Sequence, residues 1–404
     1  MVYSFPPEKS PGRLEFELAS YFRDMGHFVH VVTAFPRRYF LEYRIAHLGN
    51  LIYNEIHNGV KITRVGPEFG KNTLIFRKLE YTADFFIFML GGFLSNNVDI
   101  ILATSPPLTI ALAASLLAKI KRVPLIVRVC DIHPDALVDL GLIRSRLLIK
   151  VFNIIERIVY NFADSIIVLS ESYRQNLIRK NVPPYKVRVI PNWVDLHEVD
   201  ATLEGQSRYK YNIGDKFVVT YAGNMSWFQD IETIIEAASL ISYRDDILFL
   251  LVGSGPQKEM LKKKVKQLNV QNIKFLPLQT REKYLQIIKA SDVCLVGLKK
   301  EFRSPAVPSK LLDILACGTS VIVHMPDDGD APKIVQSAKC GLVIPPQDPK
   351  KLADAILYMA DNTRKRQEMG KNGRLYLEKN FSLHNCAERY LNIMLALQRR
   401  NKTP

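Results

Sequence analysis

Short apolar runs of four or five residues alternate with longer amphipathic stretches along almost the whole chain. In the first half, residues 29–33, 100–103, 125–129 and 165–169 are apolar runs of strand type. Helical patterns at 13–25, 108–119 and 146–161 fall around them, and 187–190 adds a strand stopped by Pro191-Asn192. Strands alternating with helices predict a doubly wound parallel sheet. A polar stretch, 198–215, interrupts this rhythm, which then restarts. Strands are predicted at 217–221, 247–252, 273–275, 293–296, 321–323 and 342–344. Helices are predicted at 230–241, 257–268, 282–289, 310–316, 350–360 and 364–378. The fold class is therefore α/β, with two Rossmann-like, doubly wound domains facing a cleft, 1–197 and 198–382. An amphipathic C-terminal segment, 383–404, is expected to pack back on the first domain. Ligands of such sheets bind at the carboxyl ends of the strands. Residues 1–4 supply only a stub of a central first strand, so the natural chain is expected to start a few residues upstream.

One segment concentrates the candidate chemistry. Residues 303–318 read as a loop, a helix opened by Pro308-Ser309 and a stop at Gly318, followed at once by a strand. The unbonded N–H groups of such a helix start attract anions. Lys310 adds a charge in the first turn, and Asp313 places a carboxylate one turn on, where it can accept bonds from sugar hydroxyls. Diphosphate at the N–H groups and ribose at the acid would suit a nucleotide-sugar. An ordinary capped helix packed on a sheet has the same pattern.

Composition narrows the alternatives. The chain has 404 residues, 48% hydrophobic and 24% charged, enough to fill two cores. Its net charge of +15 suits phosphate-bearing ligands, an anionic membrane surface or nucleic acid. No zinc-finger spacing or RNA-binding aromatic signature accompanies that charge, and Lys262-Lys263-Lys264 and Arg364-Lys365-Arg366 read as solvated helix faces, so no nucleic acid is expected. Cys130, Cys294, Cys317, Cys340 and Cys386 are scattered in apolar surroundings, as free thiols in a reducing compartment are. Glu8, Lys9 and Arg13 interrupt any signal peptide. The uncharged run 100–118 is long enough to span a bilayer, but Ser105-Pro106-Pro107 splits it into strand and helix. The run 85–94 is too short to span. It is either a core helix or, beside Arg77-Lys78, an interfacial membrane patch.

Taken together, the motifs resemble the family 4 retaining glycosyltransferases, and most closely their bacterial and archaeal branch that builds surface polysaccharides from amino-sugar nucleotides. The resemblance rests on Phe5-Pro6-Pro7-Glu8 with Gly12-Arg13, Arg23-Asp24-Met25-Gly26-His27, Ser105-Pro106-Pro107 and Asp131-Ile132-His133-Pro134. It continues through Ile190-Pro191-Asn192-Trp193-Val194-Asp195, Tyr221-Ala222-Gly223-Asn224 and Val252-Gly253-Ser254-Gly255-Pro256. It ends with Pro308-Ser309-Lys310-Leu311-Leu312, Gly318 and residues 341–346. Each is weak singly; their order is specific.

The resemblance implies the two-domain GT-B fold and a reaction that moves a sugar, an N-acetylated amino sugar or a deoxysugar, from a nucleotide diphosphate, UDP favoured, to a lipid-linked or polysaccharide acceptor. The run 85–94 beside Arg77-Lys78, with the net charge of +15, predicts a cytoplasmic enzyme attached peripherally to the inner membrane face, which would suit the lipid-linked acceptors the resemblance implies. No cofactor or metal is expected, because Asp328-Gly329-Asp330, the one Asp-x-Asp weighed, lies in a loop-like stretch rather than at a strand end. By position, the resemblance puts Gly12 in a loop near the donor diphosphate and Asp131 near the reacting centre, although a helix cap would also explain Asp131. Leu278 falls where backbone cradles the base. Lys310, with the N–H groups of Ser309, Leu311 and Leu312, falls on the diphosphate, and Asp313 on the ribose. There are departures. Many relatives carry Arg and Lys after the glycine matching Gly223, whereas this chain has Asn224 and no basic residue through Asp230. Pro305 stands where many have an acid. Arg303 and Lys310 are expected to supply the missing charge. A nucleotide-sugar epimerase and a non-catalytic partner of a polysaccharide complex are the alternatives.

Overall fold

The computed structural model describes residues 1–6, 12–36, 50–66, 74–139, 143–203, 208, 211, 213–301 and 307–402. The chain divides into two compact units, Met1–Asn192 with Leu383–Pro404, and Trp193–Ser382.

In the first unit, α1 (Arg13–Asp24) is followed by β1 (His30–Ala34), β2 (Ile52–His57), β3 (Val60–Val65), α2 (Leu74–Phe93) and β4 (Ile101–Ser105). Then come α3 (Leu108–Lys121), β5 (Leu125–Val129), α4 (Asp135–Asp139), α5 (Arg146–Phe162), β6 (Ser165–Val168), α6 (Glu171–Arg179) and β7 (Val187–Val189). One sheet has the order β4-β5-β6-β7, all parallel. The other has the order β1-β3-β2, with β2 antiparallel. The first two residues lie between these sheets: the Val2 N–H donates to the Val32 carbonyl at 3.0 Å and the Thr104 N–H to the Met1 carbonyl at 3.0 Å.

The pattern along 52–65 predicts no strand, yet β2 and β3 form a hairpin there. Its turn is Asn58-Gly59, with φ of 47° and 74°. Two left-handed residues match the twist of paired strands, which is why Asn-Gly favours this turn. The dipeptide was the overlooked signal; the exposed, polar β2 hid the alternation.

The apolar run 100–118 resolves into β4, a turn and α3. Ile110, Ala111, Ala113, Ala114 and Leu117 are fully buried, so α3 is apolar all round because protein surrounds it. Among the described residues no helix is long and apolar enough to cross a membrane. The run 85–94 is two-faced. Phe88 is buried, and Gly91 and Gly92 bring α2 against Val65, Val32 and Leu117, while Phe86, Leu90 and Phe93 face solvent. The side chains of Arg77 and Lys78 lie outside the described residues. The C-terminal helix, α15 (Leu383–Lys402), belongs to this unit. It buries Cys386 and Tyr390, and its Glu388 accepts the Tyr21 hydroxyl at 2.8 Å.

The second unit runs α7 (Leu196–Ala201), β8 (Phe217–Asn224), α8 (Ile231–Leu240), β9 (Ile247–Ser254), α9 (Lys258–Gln267), β10 (Ile273–Leu276), α10 (Arg281–Lys289) and β11 (Val293–Gly297). It continues with α11 (Ser309–Ala316), β12 (Ser320–His324), α12 (Asp330–Ala338), β13 (Gly341–Ile344), α13 (Pro349–Asp361) and α14 (Thr363–Phe381). Its strands form one parallel sheet, ordered β10-β9-β8-β11-β12-β13. Alternate residues face opposite layers of helices. Val218, Leu250 and Val321 fill one side, and Val219, Leu251 and Ile322 the other. The chain leaves β8 toward β9 and β10, then returns past β8 to β11. That reversal makes the carboxyl ends of β8 and β11 the topological switch point, where open α/β sheets leave a crevice.

Candidate functional site

α11 begins beside this switch point. Its hydrophobic side is spent on the core: Leu311, Leu312, Ile314 and Leu315 are buried. Leu311 and Leu312 therefore offer a ligand only backbone, and the Leu311 N–H already turns onto the Pro308 carbonyl at 2.9 Å. Ser309 is exposed at the helix start.

Lys310 crosses from α11 to the end of β8. Its Nζ donates to Gln229 Oε1 at 2.8 Å and to the Tyr221 hydroxyl at 3.1 Å, and it lies 4.2 Å from the Tyr221 ring centre. These partners are neutral. Burial pushes the ammonium down to about 7, since a cation that loses water without gaining a carboxylate is destabilised. The Tyr221 hydroxyl in turn donates to the Asn224 carbonyl at 2.7 Å, and burial pushes its pKa up.

Two glycines permit the approach. Gly223 has φ of +153°, and a Cβ there would sit 3.0 Å from Lys310 Nζ. Gly253, its partner at the end of β9, would press a Cβ to 2.0 Å from the Gly223 carbonyl. Side chains at either place would close the strand ends.

Behind Gln229 stands a buried clamp. Asp230, with φ of 52°, opens α8, and its carboxylate makes three contacts, with Thr233, His324 and Gln347. Its Oδ2 takes the Gln347 N–H at 2.9 Å and lies 3.2 Å from His324 Nδ1, while its Oδ1 takes the Thr233 hydroxyl at 2.7 Å. Burial alone would raise the Asp230 carboxyl, but these donors hold it below the ordinary range. Gly297 is needed because a Cβ there would reach 2.0 Å from the His324 ring.

Asp313 is buried and already engaged: its Oδ1 accepts from Arg281 Nη2 at 2.7 Å, and Arg281 Nε also donates to Glu198 at 3.1 Å. Leu278 is exposed just past β10. Arg303 lies outside the described residues. Thus Gly223, Asn224 and Lys310 meet in the second unit, with Ser309 on the same helix start. Gly12 and Asp131 belong to the first unit. A Cβ on Gly12 would fall 2.6 Å from Phe5 Cα, so close backbone packing already requires glycine there. Asp131 is exposed after β5; the protein around it raises its pKa, and the Tyr173 hydroxyl 3.4 Å away works against that rise. No site role for Tyr221, Gln229, Asp230, His324 or Arg281 is predicted from sequence, although Tyr221 lies in one of the quoted motifs. Gln229 and Asp230 stand in the very stretch where basic residues are missing, and a polar pair just before an apolar helix was the available signal.

A cavity of about 320 Å³ in the first unit is lined by His30, Ile101 and Leu395 among others. It opens at the starts of β1 and β4, the opposite end of a strand from where such sheets bind ligands.

Residues 16–193 match the glycosyl transferase 4-like domain and residues 205–376 the glycosyl transferases group 1 domain. The chain is 26% identical over 338 residues to the putative colanic acid biosynthesis glycosyl transferase WcaI of Escherichia coli K12, covering 80% of this chain and 82% of that one. It is 25% identical over 336 residues to the probable glycosyltransferase WbjE of Pseudomonas aeruginosa, covering 80% and 81%. In fold it is similar to Anabaena HepE, crystallised with UDP-glucose, with a TM-score of 0.69 at 16% identity over 98% of both chains. The chain belongs to the family 4 type of glycosyltransferase, built from two Rossmann-like units of the GT-B fold.

Two outcomes follow from the packing. Gly223→Ala should displace Lys310 Nζ from Tyr221 and Gln229, with little change in Tm beyond the strain of its φ; nuclear magnetic resonance of the Lys310 ammonium should then report a pKa nearer the usual lysine range. An unmoved resonance would refute the contact. Asp230→Ala should lower stability by about 2–4 kcal/mol, because it orphans buried donors. The native carboxyl is held low, so its contribution is present above the unfolded pKa and lost as pH falls through the folded value. Acid unfolding of wild type and variant should therefore converge at low pH.

Proposed function

We propose that the protein moves a sugar from a nucleotide diphosphate, UDP favoured, to the hydroxyl of a lipid-linked or polysaccharide acceptor, with retention of anomeric configuration. The observation that carries this reading is Lys310, desolvated and poised over Gly223 at the switch point. As the glycosidic bond breaks, negative charge grows on the departing diphosphate. A cation fixed in advance meets that charge without reorganisation. The first N–H groups of α11, at Ser309 and Lys310, point the same way. Asn224 and Gln229 take over part of the work done by basic residues in many relatives, as neutral amide donors. Asp313, anchored by Arg281, offers its second oxygen to a ribose hydroxyl, and the backbone at Leu278 receives the base. Gly12 and Asp131 of the first unit are assigned to the diphosphate and the reacting centre, and Arg303 to the phosphates.

The relatives support the acceptor and donor: WcaI is named for colanic acid biosynthesis, and HepE was crystallised with UDP-glucose. An N-acetylated amino sugar or a deoxysugar is the proposed cargo. Acceptors of this kind are membrane-bound, so the enzyme works on the cytoplasmic side, attached through its first unit. The reading is tested by screening UDP-sugars against lipid-linked acceptors and reading the anomeric configuration of the product by nuclear magnetic resonance. Inversion, or nucleotide binding without transfer to any acceptor, would overturn it.

Lys310→Met should lower turnover about 10- to 1000-fold in a protein that still folds. Its titration gives a sharper test. In the empty site the ammonium is half discharged near pH 7, and a bound diphosphate raises its pKa. Above pH 7, UDP binding should therefore take up a proton, about one per site at pH 8, and affinity should fall as pH rises. Calorimetry in buffers of different ionisation enthalpy reads this directly. Equal proton uptake by wild type and Lys310→Met would remove Lys310 from the phosphates.

Asp313→Ala should weaken UDP binding and raise KM more than it lowers kcat, because ribose lies far from the breaking bond. It also leaves Arg281 with Glu198 alone, so a lower Tm is expected. Asp313→Glu should keep activity. Unchanged nucleotide affinity in a folded Asp313→Ala protein would exclude the ribose role.

A further inference from the structure

The helix α5 carries apolar residues on two sides. Its inner side buries Val159 and Tyr160 and turns its one acid, Glu156, inward to Lys180 Nζ at 2.8 Å. On the outer side Leu147, Val151, Ile154, Ile158 and Phe162 are between 36% and 72% exposed. Their spacing of three and four residues puts them in one stripe along the helix. A core needs only the inner stripe, so the outer one is unexplained by folding. Arg146, Lys150 and Arg157, all exposed, border it.

The stripe does not end with the helix. Lys119 Nζ lies 5.2 Å over the Phe162 ring, which joins the end of α5 to that of α3. Lys121 Nζ donates to the Ser95 carbonyl at 2.8 Å, which joins α3 to the end of α2. At these ends Ile120, Phe93 and Leu94 are exposed. The exposed apolar ends of α3 and α2 thus lie, one after the other, next to the end of the α5 stripe.

We propose that the outer face of α5, continued by the ends of α3 and α2, seats the protein on an anionic lipid surface, with α5 lying in the plane of the headgroups. This rests on the membrane part of the reading above and names the element responsible. An apolar stripe of helical period with a cationic border is what an interfacial helix presents to acyl chains and headgroups. The charge argues against a second copy of the chain. Two α5 helices packed about a two-fold axis would set Arg146, Lys150 and Arg157 against themselves, and α5 has no exposed acid to answer them. An anionic headgroup layer answers all three.

The test uses the full chain with vesicles of phosphatidylcholine, with and without phosphatidylglycerol, at low salt. Wild type should sediment with the phosphatidylglycerol vesicles only. Lys150→Glu with Arg157→Glu, and separately Leu147→Ser with Ile154→Ser and Ile158→Ser, should each cut partitioning at least about tenfold. Because all five positions are exposed, Tm should stay within a few degrees of wild type. Wild type that ignores anionic vesicles would defeat both this proposal and the membrane reading. Wild type that binds while both α5 variants bind equally well would defeat this proposal alone. So would a wild-type dimer in sedimentation that the serine variant converts to monomer, since the stripe would then be a seam between copies.

Discussion

A half-buried ammonium that rests on neutral partners organises the second unit. Lys310 leaves the first turn of α11, passes over Gly223 and ends on two neutral oxygens, Gln229 Oε1 and the Tyr221 hydroxyl. Ion pairing would have been the cheaper way to hold it. Leaving it underpaired keeps its charge available to an incoming anion. The neighbouring features follow from that choice. Gly223 and Gly253 strip the strand ends of side chains, Tyr221 supplies a ring face, and Gln229 orients the amine. Asp230 then fixes Gln229 by tying the start of α8 to His324 and Gln347.

The same logic explains how an amide pair can stand where relatives carry Arg and Lys. Three cations around one empty anion site repel one another and must be neutralised by acids nearby. With Asn224 and Gln229 in place, the stretch after β8 adds no cation beside Lys310, and in the proposed reading the protonation of that amine follows the ligand.

Much of this architecture was legible in the chain. Strands such as 125–129 and 247–252 are so continuously apolar that only a sheet covered on both faces accommodates them, and helix start and stop residues delimited α11. Other features were hidden for physical reasons. β2 is exposed along much of its length, so its pairing with β3 left no hydrophobic alternation, and only Asn58-Gly59 marked the turn. The neighbours of Lys310 come from β8 and the turn after it, about eighty residues earlier in the chain; periodicity carries no information about such a meeting. Asp313 was read from its place in the helix, which says nothing of Arg281 on a different element. The run 85–94 was posed as core or surface, and α2 is both, because Gly91 and Gly92 let one face pack closely while Phe86 and Phe93 stay outside.

Charge completes the argument. A net charge of +15 in a globular chain is a surface property, and where the acids go matters as much as where the bases are. In α5 the one acid is turned inward onto Lys180, so the helix shows the solvent bases, apolar side chains and the neutral Asn153 and Asn161, but no acid. In the second unit Asp313 and Asp230 are likewise drawn into buried bonds with Arg281 and with His324. Both arrangements remove negative charge from places where an anion would bind. Under the proposed function, the first of these anions is the donor diphosphate, approached by Lys310. Under the proposed membrane docking, the second is a layer of headgroups facing Arg146, Lys150 and Arg157.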